Sequence, residues 1–147
     1  KLSVADPLSR KIFPAFVERA LGFIDRCQAH LDKVWLGKVL YGAFSENLKT
    51  FLLLAAIDKN SKIVAHLIAY PEPWGDLGYI AHILEAEKDV QAPEIMEVGR
   101  KIVHDWMKSL KLTTALLTTD SRARLRLFQK YGFKEYLIIG RADLGEE

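Results

Sequence analysis

Two apolar runs in the middle of the chain constrain its fold more than any other feature. Thr50 to Ile57 is one, Lys62 to Tyr70 is the other, and Asp58-Lys59-Asn60-Ser61 stands between them. Asp, Asn and Ser bond their own backbone in tight turns, so two β-rich runs joined this way predict a hairpin. Pro71-Glu72-Pro73-Trp74-Gly75-Asp76 reads as a loop into a third strand, Leu77 to about Ala86. An antiparallel meander is therefore expected at the centre of the fold.

On either side the period is helical. Leu8, Ile12, Phe13, Phe16, Val17, Ala20, Leu21 and Ile24 share one face of a segment reaching about His30, with Arg10, Lys11, Glu18, Arg19 and Asp25 opposite. Pro14 is expected to kink that helix or move its start to about Phe13. A second helix is expected from Asp32 to about Phe44, weakened by Gly37 and Gly42. Pro93 suits the first position of a third helix running to about Leu110, with Ile95, Val98, Ile102, Val103, Trp106 and Leu110 on one face. Leu112 to Thr118 is β-rich, a fourth helix starts near Ser121, and Tyr136 to about Ala142 reads as the last strand. A further strand would lie in or before Leu2 to Val4. The order predicts a mixed α/β domain: a central, mostly antiparallel sheet of about six strands with helices on both faces.

The 147 residues suffice for one domain with a full core, taken as residues 1–147. Half of them are apolar and the formal net charge is +2, too small to imply a nucleic-acid partner or an anionic membrane surface. No apolar run reaches the ~18 residues of a membrane span. The single Cys27 excludes an internal disulfide and points to a reducing, cytoplasmic setting. Numbering starts at Lys1, so a segment is expected before it, and what remains carries no signal peptide.

Near the C-terminus stands Leu127-Phe128-Gln129-Lys130-Tyr131-Gly132-Phe133. Leu125, Phe128, Leu127 and Tyr131 recur at helical spacing. Gly132 follows the last periodic residue, where a left-handed C-cap lets the chain leave a helix, and Phe133 would open the next strand as its first inward side chain. The segment resembles the signature of the GNAT superfamily of acyl-CoA-dependent N-acyltransferases, N-x-x-A-x-x-L-Y-x-K-x-G-F. It stands here as Ser121, Arg124, Leu127, Phe128, Lys130, Gly132 and Phe133: the Leu, Lys, Gly and Phe match, and the Asn, Ala and Tyr do not. The order of elements resembles that fold over nearly the whole chain.

The resemblance implies acetyl-CoA as cofactor and a primary amine, on a small molecule or a protein, as acceptor. It implies that backbone groups of Ile83, Leu84 and Glu85 hold the pantetheine arm between splayed strands. The family's pyrophosphate loop, R/Q-x-x-G-x-G/A, falls on Asp89-Val90-Gln91-Ala92-Pro93-Glu94, which makes Val90, Gln91 and Ala92 its cofactor contacts. Both glycines are missing there, and Pro93 has no N–H to donate. Without them the same residues read as the start of a helix whose dipole the acidic groups complement. Ser121, Arg122 and Arg124 lie where the family's Asn meets the cofactor, and the arginines suit a phosphate as well as they suit a solvated helix face. Phe128 occupies the position of the family's acid Tyr, so the resemblance makes it a cofactor contact, but it cannot donate a proton; Tyr131, three residues on, reads either as a candidate acid or as a core-packing ring. For a base, alternation along the third strand groups Glu85 with Leu77, Tyr79, Ala81 and Ile83 on a mostly apolar face, opposite His82; the same position reads equally as a strand-end carboxylate in solvent.

Two readings follow. One is an N-acetyltransferase with a degenerate cofactor loop; the other is a non-catalytic module on the same scaffold. His66 and His82, on strands expected to be neighbours, suggest a metal pair, but no Cys or carboxylate stands at ligand spacing. His30 and His104 read as surface residues. Trp35, Trp74 and Trp106 read as core or loop anchors. A free sheet edge would allow a homodimer.

Overall fold

The computed structural model describes residues 1–27, 32–73, 78–88, 92–117, 122–130 and 132–134; inside these, the side chains of 26, 27, 82, 84–88, 123, 124 and 127 fall outside the description. Among the described residues there are four helices and four strands in the order α1 (Pro7–Cys27), α2 (Lys33–Ser45), β1 (Leu52–Ile57), β2 (Ile63–Pro73), β3 (Tyr79–Lys88), α3 (Pro93–Ser109), β4 (Ala115–Leu117) and α4 (Arg122–Gln129). They form one sheet, β1-β2-β3-β4, with β1–β2 and β2–β3 antiparallel and β3–β4 parallel.

The expected mixed, mostly antiparallel sheet is present, with four strands rather than about six among the described residues. The expected last strand, Tyr136 to Ala142, lies outside them. At the other end, the Leu2 N–H donates to the Leu53 carbonyl (2.8 Å), which lays the N-terminus along β1 without making residues 2–4 a strand. No described helix is long and apolar enough to cross a membrane.

α1 starts earlier than its internal proline suggests. Asp6 caps it: its carboxylate accepts from the Ser9 N–H (2.8 Å) and the Ser9 hydroxyl (2.6 Å), and these bonds hold its pKa below the usual carboxylate value. Pro7 then takes the first helical position, where its missing N–H costs nothing. Pro14 sits inside the helix rather than at its start. Asp32 caps α2 through the Trp35 N–H (2.9 Å).

The hairpin turn is built by Asp58, whose Oδ1 accepts from the N–H groups of Asn60 (2.8 Å) and Lys62 (3.0 Å), with Ser61 at φ +63°. β2 runs on through Pro71, Glu72 and Pro73, which sequence reasoning assigns to a loop. These residues pair with Ala81, Ile80 and Tyr79 of β3. Described pairing of β1 with β2 reaches only Leu52↔Ala69, so the two prolines lie beyond it, where the sheet needs no donor from them.

Two cores result, one on each face. On the first, Phe16, Ile24, Leu36, Leu40, Leu53 and Ile68 pack α1 and α2 onto the sheet. His66 is buried here: its Nδ1 accepts from Arg19 Nε (2.9 Å), and the rings of Phe16 and Phe23 stand edge-on to it. Arg19 thus reaches over the core instead of joining the solvent face. On the second face, Leu52, Leu54, Ala69, Ala81, Ile83, Val103, Trp106 and Leu112 hold α3 against the sheet. Trp106 anchors it as expected, donating Nε1–H to the Lys49 carbonyl (3.1 Å), whereas Trp35 is 49% exposed and anchors no core. Trp74 lies outside the described residues.

Candidate active site

The signature segment closes α4 with a Schellman turn. The Gly132 N–H donates to the Gln129 carbonyl (3.1 Å), the Phe133 N–H to the Phe128 carbonyl (3.3 Å), and Gly132 has φ +89°. The Phe128 and Phe133 rings meet edge to face at 6.0 Å, which is the apolar contact this motif favours. Phe133 therefore packs back on the helix; it is not within a strand among the described residues. A Cβ on Gly132 would meet nothing within 4 Å, so its requirement is purely one of backbone conformation. Gly132→Ala is expected to cost about 1–2 kcal/mol, the left-handed penalty of an L-residue. A urea titration showing Gly132→Ala no less stable than Gly132→Asn, which tolerates this region better, would contradict the cap.

The parallel pair β3–β4 is described over three residues of each strand. Its described pairs are Ala81↔Ala115, His82↔Leu116 and Ile83↔Leu117. On its other side β3 pairs Ile83 with Ala69 but Glu85 with Ile68, so the register slips by one residue at Leu84. β3 then continues to Lys88 alongside β2. A bulge of this kind bends its strand. The slip corrects the expected alternation as well: the register position of Glu85 belongs to the row of Ile68, not to the row of Ile83 and Ala69.

α3 begins just after the bulged strand. Ala92 is its extended N-cap (φ −122°, ψ 101°), with no side-chain cap bond, Pro93 at the first position and Glu94 in the first turn. Ala92 needs no positive φ, so glycine is not required at this position. Farther along, Glu97 and Arg100 form a forked ion pair (2.7 and 3.2 Å) that holds the Glu97 carboxyl below its usual pKa.

Between α3 and the sheet lies a cavity of about 770 Å³ that is partly open to solvent. Leu54, Leu67, Ile83 and Leu117 line it from the sheet, Ile95, Val98, Gly99, Ile102, Val103 and Met107 from α3, and Phe128 and Phe133 from the α4 turn. Lys1, His66, Glu94, Arg100 and His104 are its polar lining residues. The apolar stripe of α3 is thus divided. Val103 and Trp106 are buried, while Ile95 and Ile102 are half-buried over the cavity and Val98 is 59% exposed.

Of the expected site residues, Ile83 and Phe128 come together on this cavity. Leu84 and Glu85 follow Ile83 at the bulge, with their side chains outside the description. Ala92 and Arg122 do not line the cavity: Ala92 starts α3, and Arg122 is exposed at the start of α4. Arg124 lies within α4. Val90, Gln91, Ser121 and Tyr131 lie outside the described residues. Sequence reasoning does not single out Leu54, Leu67 and Leu117 as lining a cavity, because apolar periodicity reads such positions as closed core. Among the described residues no group of three His, Cys, Asp or Glu could hold a metal, and the His66 ring is engaged by Arg19.

No protein-family model matches the chain, and no curated protein sequence matches it. Solved structures do match. A predicted acetyltransferase from Clostridium acetobutylicum, solved with acetyl-CoA, superposes with TM-score 0.65 at 15% identity, covering 88% of this chain and 90% of that one. Glucosamine-6-phosphate N-acetyltransferase from Arabidopsis thaliana gives 0.59 at 15% identity over 74% and 77%. An aminoglycoside acetyltransferase from an uncultured soil metagenomic sample gives 0.55 at 14% identity over 74% of each chain. At such identities the likeness is one of fold: the chain has the GNAT acetyltransferase fold.

Proposed function

We infer that this chain, built on the GNAT acetyltransferase fold, is an acyl-CoA-dependent N-acyltransferase acting on a primary amine. One observation carries the reading: the register slip at Leu84 immediately follows the last described β3–β4 pair, Ile83↔Leu117, and both of those residues line the cavity that Phe128 also lines. In this reading β3 parts from β4 at the bulge, which would free backbone N–H and C=O groups on the facing edges. An amide-bearing arm such as pantetheine can take them up, as an added strand would. The thioester would then lie beside Ile83 and Phe128.

The chemistry is direct transfer. The amine nitrogen attacks the thioester carbonyl carbon, the C–N bond forms, the C–S bond breaks, and the sulfur leaves with its electron pair. The proton shed by nitrogen goes to a base, for which Glu85 or a water is the candidate. Phe128 cannot protonate the sulfur, so the thiolate departs on its own basicity, near that of a cysteine thiol at about 8.5. General acid help is worth roughly 10²- to 10⁴-fold, and turnover is expected to be slow by that measure unless Tyr131 supplies it. At the N-terminus of α3, Pro93 has no N–H and the Ile95 N–H already donates to the Ala92 carbonyl (3.1 Å), so the first turn offers few donors to phosphate oxygens and Glu94 opposes them; weak pyrophosphate binding is expected.

The test is a thermal shift with acetyl-CoA, using adenosine diphosphate as control. Ligand at ~100 times its dissociation constant adds about 2.7 kcal/mol, on the order of 5–10 °C for a domain this size. A shift specific to acetyl-CoA supports the donor site. No shift at millimolar acetyl-CoA sinks the enzyme reading and leaves a non-catalytic module.

A further inference from the structure

We propose that the cavity beneath α3 receives the acyl chain of the donor, and that this chain is of medium length rather than acetyl. The proposal rests on the donor reading above and names its substrate class. Ile83, Leu117 and Phe128 stand where the thioester would be held, and the same three residues line the cavity. From there it runs under α3 to Leu67 on β2 and Leu54 on β1. β4 and β1 are three strand spacings apart, roughly 14 Å at about 4.8 Å each. A saturated chain of roughly twelve carbons spans that distance, given C–C bonds of about 1.5 Å foreshortened by their zigzag, and a chain of eight covers about two thirds of it.

The lining matches such a guest. It is mainly Leu, Ile, Val, Met, Ala and Phe along the sheet face and the underside of α3, with Glu94, Arg100 and His104 on the helix and Lys1 and His66 as its other polar residues. A cavity of ~150 Å³ with this kind of lining already takes a benzene-sized guest, and this one holds about 770 Å³. An acetyl group would leave nearly all of it unfilled. α3 itself makes room: Gly99 lines the cavity, and a Cβ placed there would meet nothing within 4 Å. In an ordinary packed helix that position would carry a side chain, since glycine in a helix interior is the less stable choice.

Calorimetric titration of the full chain with acetyl-CoA and octanoyl-CoA, below micellar concentration, tests this, alongside the Gly99→Leu variant. Gly99→Leu fills the cavity while raising helix propensity, so it is expected to fold at least as stably as the parent. Each buried methylene is worth about fourfold in affinity, so octanoyl-CoA is expected to bind at least about 30-fold more tightly than acetyl-CoA. Gly99→Leu should remove that advantage and leave acetyl-CoA binding within about twofold, since the methyl of acetyl does not reach α3. If acetyl-CoA binds and octanoyl-CoA binds no better, the donor reading stands and the chain-length proposal is overturned. It is overturned equally if the octanoyl advantage survives Gly99→Leu, because the chain then lies elsewhere. If neither thioester binds, both the donor reading and the proposal fall.

Discussion

Phe16→Ala is expected to remove about 3–5 kcal/mol of stability, the cost of deleting a fully buried phenyl ring. Phe16 has no exposed surface and sits at the centre of the first core, stacked near Phe13 (6.1 Å) and edge-on to His66 (6.0 Å). The ring therefore joins α1 both to the sheet and to the buried imidazole of β2. Removing it opens a void and loosens the packing around the His66–Arg19 bond at once. Total stabilities of about 5–15 kcal/mol leave such a variant near the edge of folding, with a melting temperature lower by on the order of 10 °C. Val34→Ala, at a site 66% exposed on α2, is the matched control and should change stability by no more than about 0.5 kcal/mol. The measurement is the urea midpoint at constant slope. Equal shifts for Phe16→Ala and Val34→Ala would mean that α1 does not seal this face.

Much of the first core is legible in the sequence because helical period and burial coincide there. Ile12, Phe13, Phe16, Val17, Ala20 and Ile24 are all buried as the spacing requires. Pro14 misleads about the start of α1 when it is weighed alone. Asp6-Pro7 is the stronger start signal, a capping carboxylate followed by a residue preformed for the first turn. Pro71 and Pro73 mislead in the opposite direction. Proline excludes a central strand only where a neighbour needs its N–H, and described β1–β2 pairing stops at Leu52↔Ala69. How far one strand overhangs another is a tertiary fact that local pattern does not carry.

The site is legible in part. Gly132 and Phe133 carry the turn in their identities, since a left-handed cap and its apolar contact are local. Ile83 and Phe128, expected as cofactor contacts, both line the cavity. Strict alternation places Glu85 on one face, and a single inserted residue at Leu84 moves its register position to the other row. Nothing in the run Ile83-Leu84-Glu85 marks a bulge, because it has no Gly and no Asn. The cavity is invisible in the sequence for a related reason. Ile95, Val98 and Ile102 have the spacing of a buried stripe, and only the seating of α3 over the sheet decides whether that stripe meets side chains or space.

That seating leads to the second large effect. α3 is held to the sheet by its C-terminal half: Val103 and Trp106 are buried beside Leu52, Leu54 and Leu112, while the N-terminal half stands over the cavity. Trp106→Ala is expected to cost about 3–5 kcal/mol, as other buried aromatic deletions do. Trp106→Phe separates the two contributions of this side chain. It keeps most of the packing and loses the Nε1–H bond to the Lys49 carbonyl, worth about 0.5–1.5 kcal/mol net. Because Lys49 is exposed, water can replace the lost donor, which keeps the penalty at that level. Hydrogen exchange gives the decisive readout. In Trp106→Phe the amides of α3 should exchange faster while those of α1 stay protected, since local opening follows the weakest anchor. Uniform acceleration in both helices would mean that the second core opens only when the whole domain unfolds, and that α3 is not an independently hinged wall of the cavity.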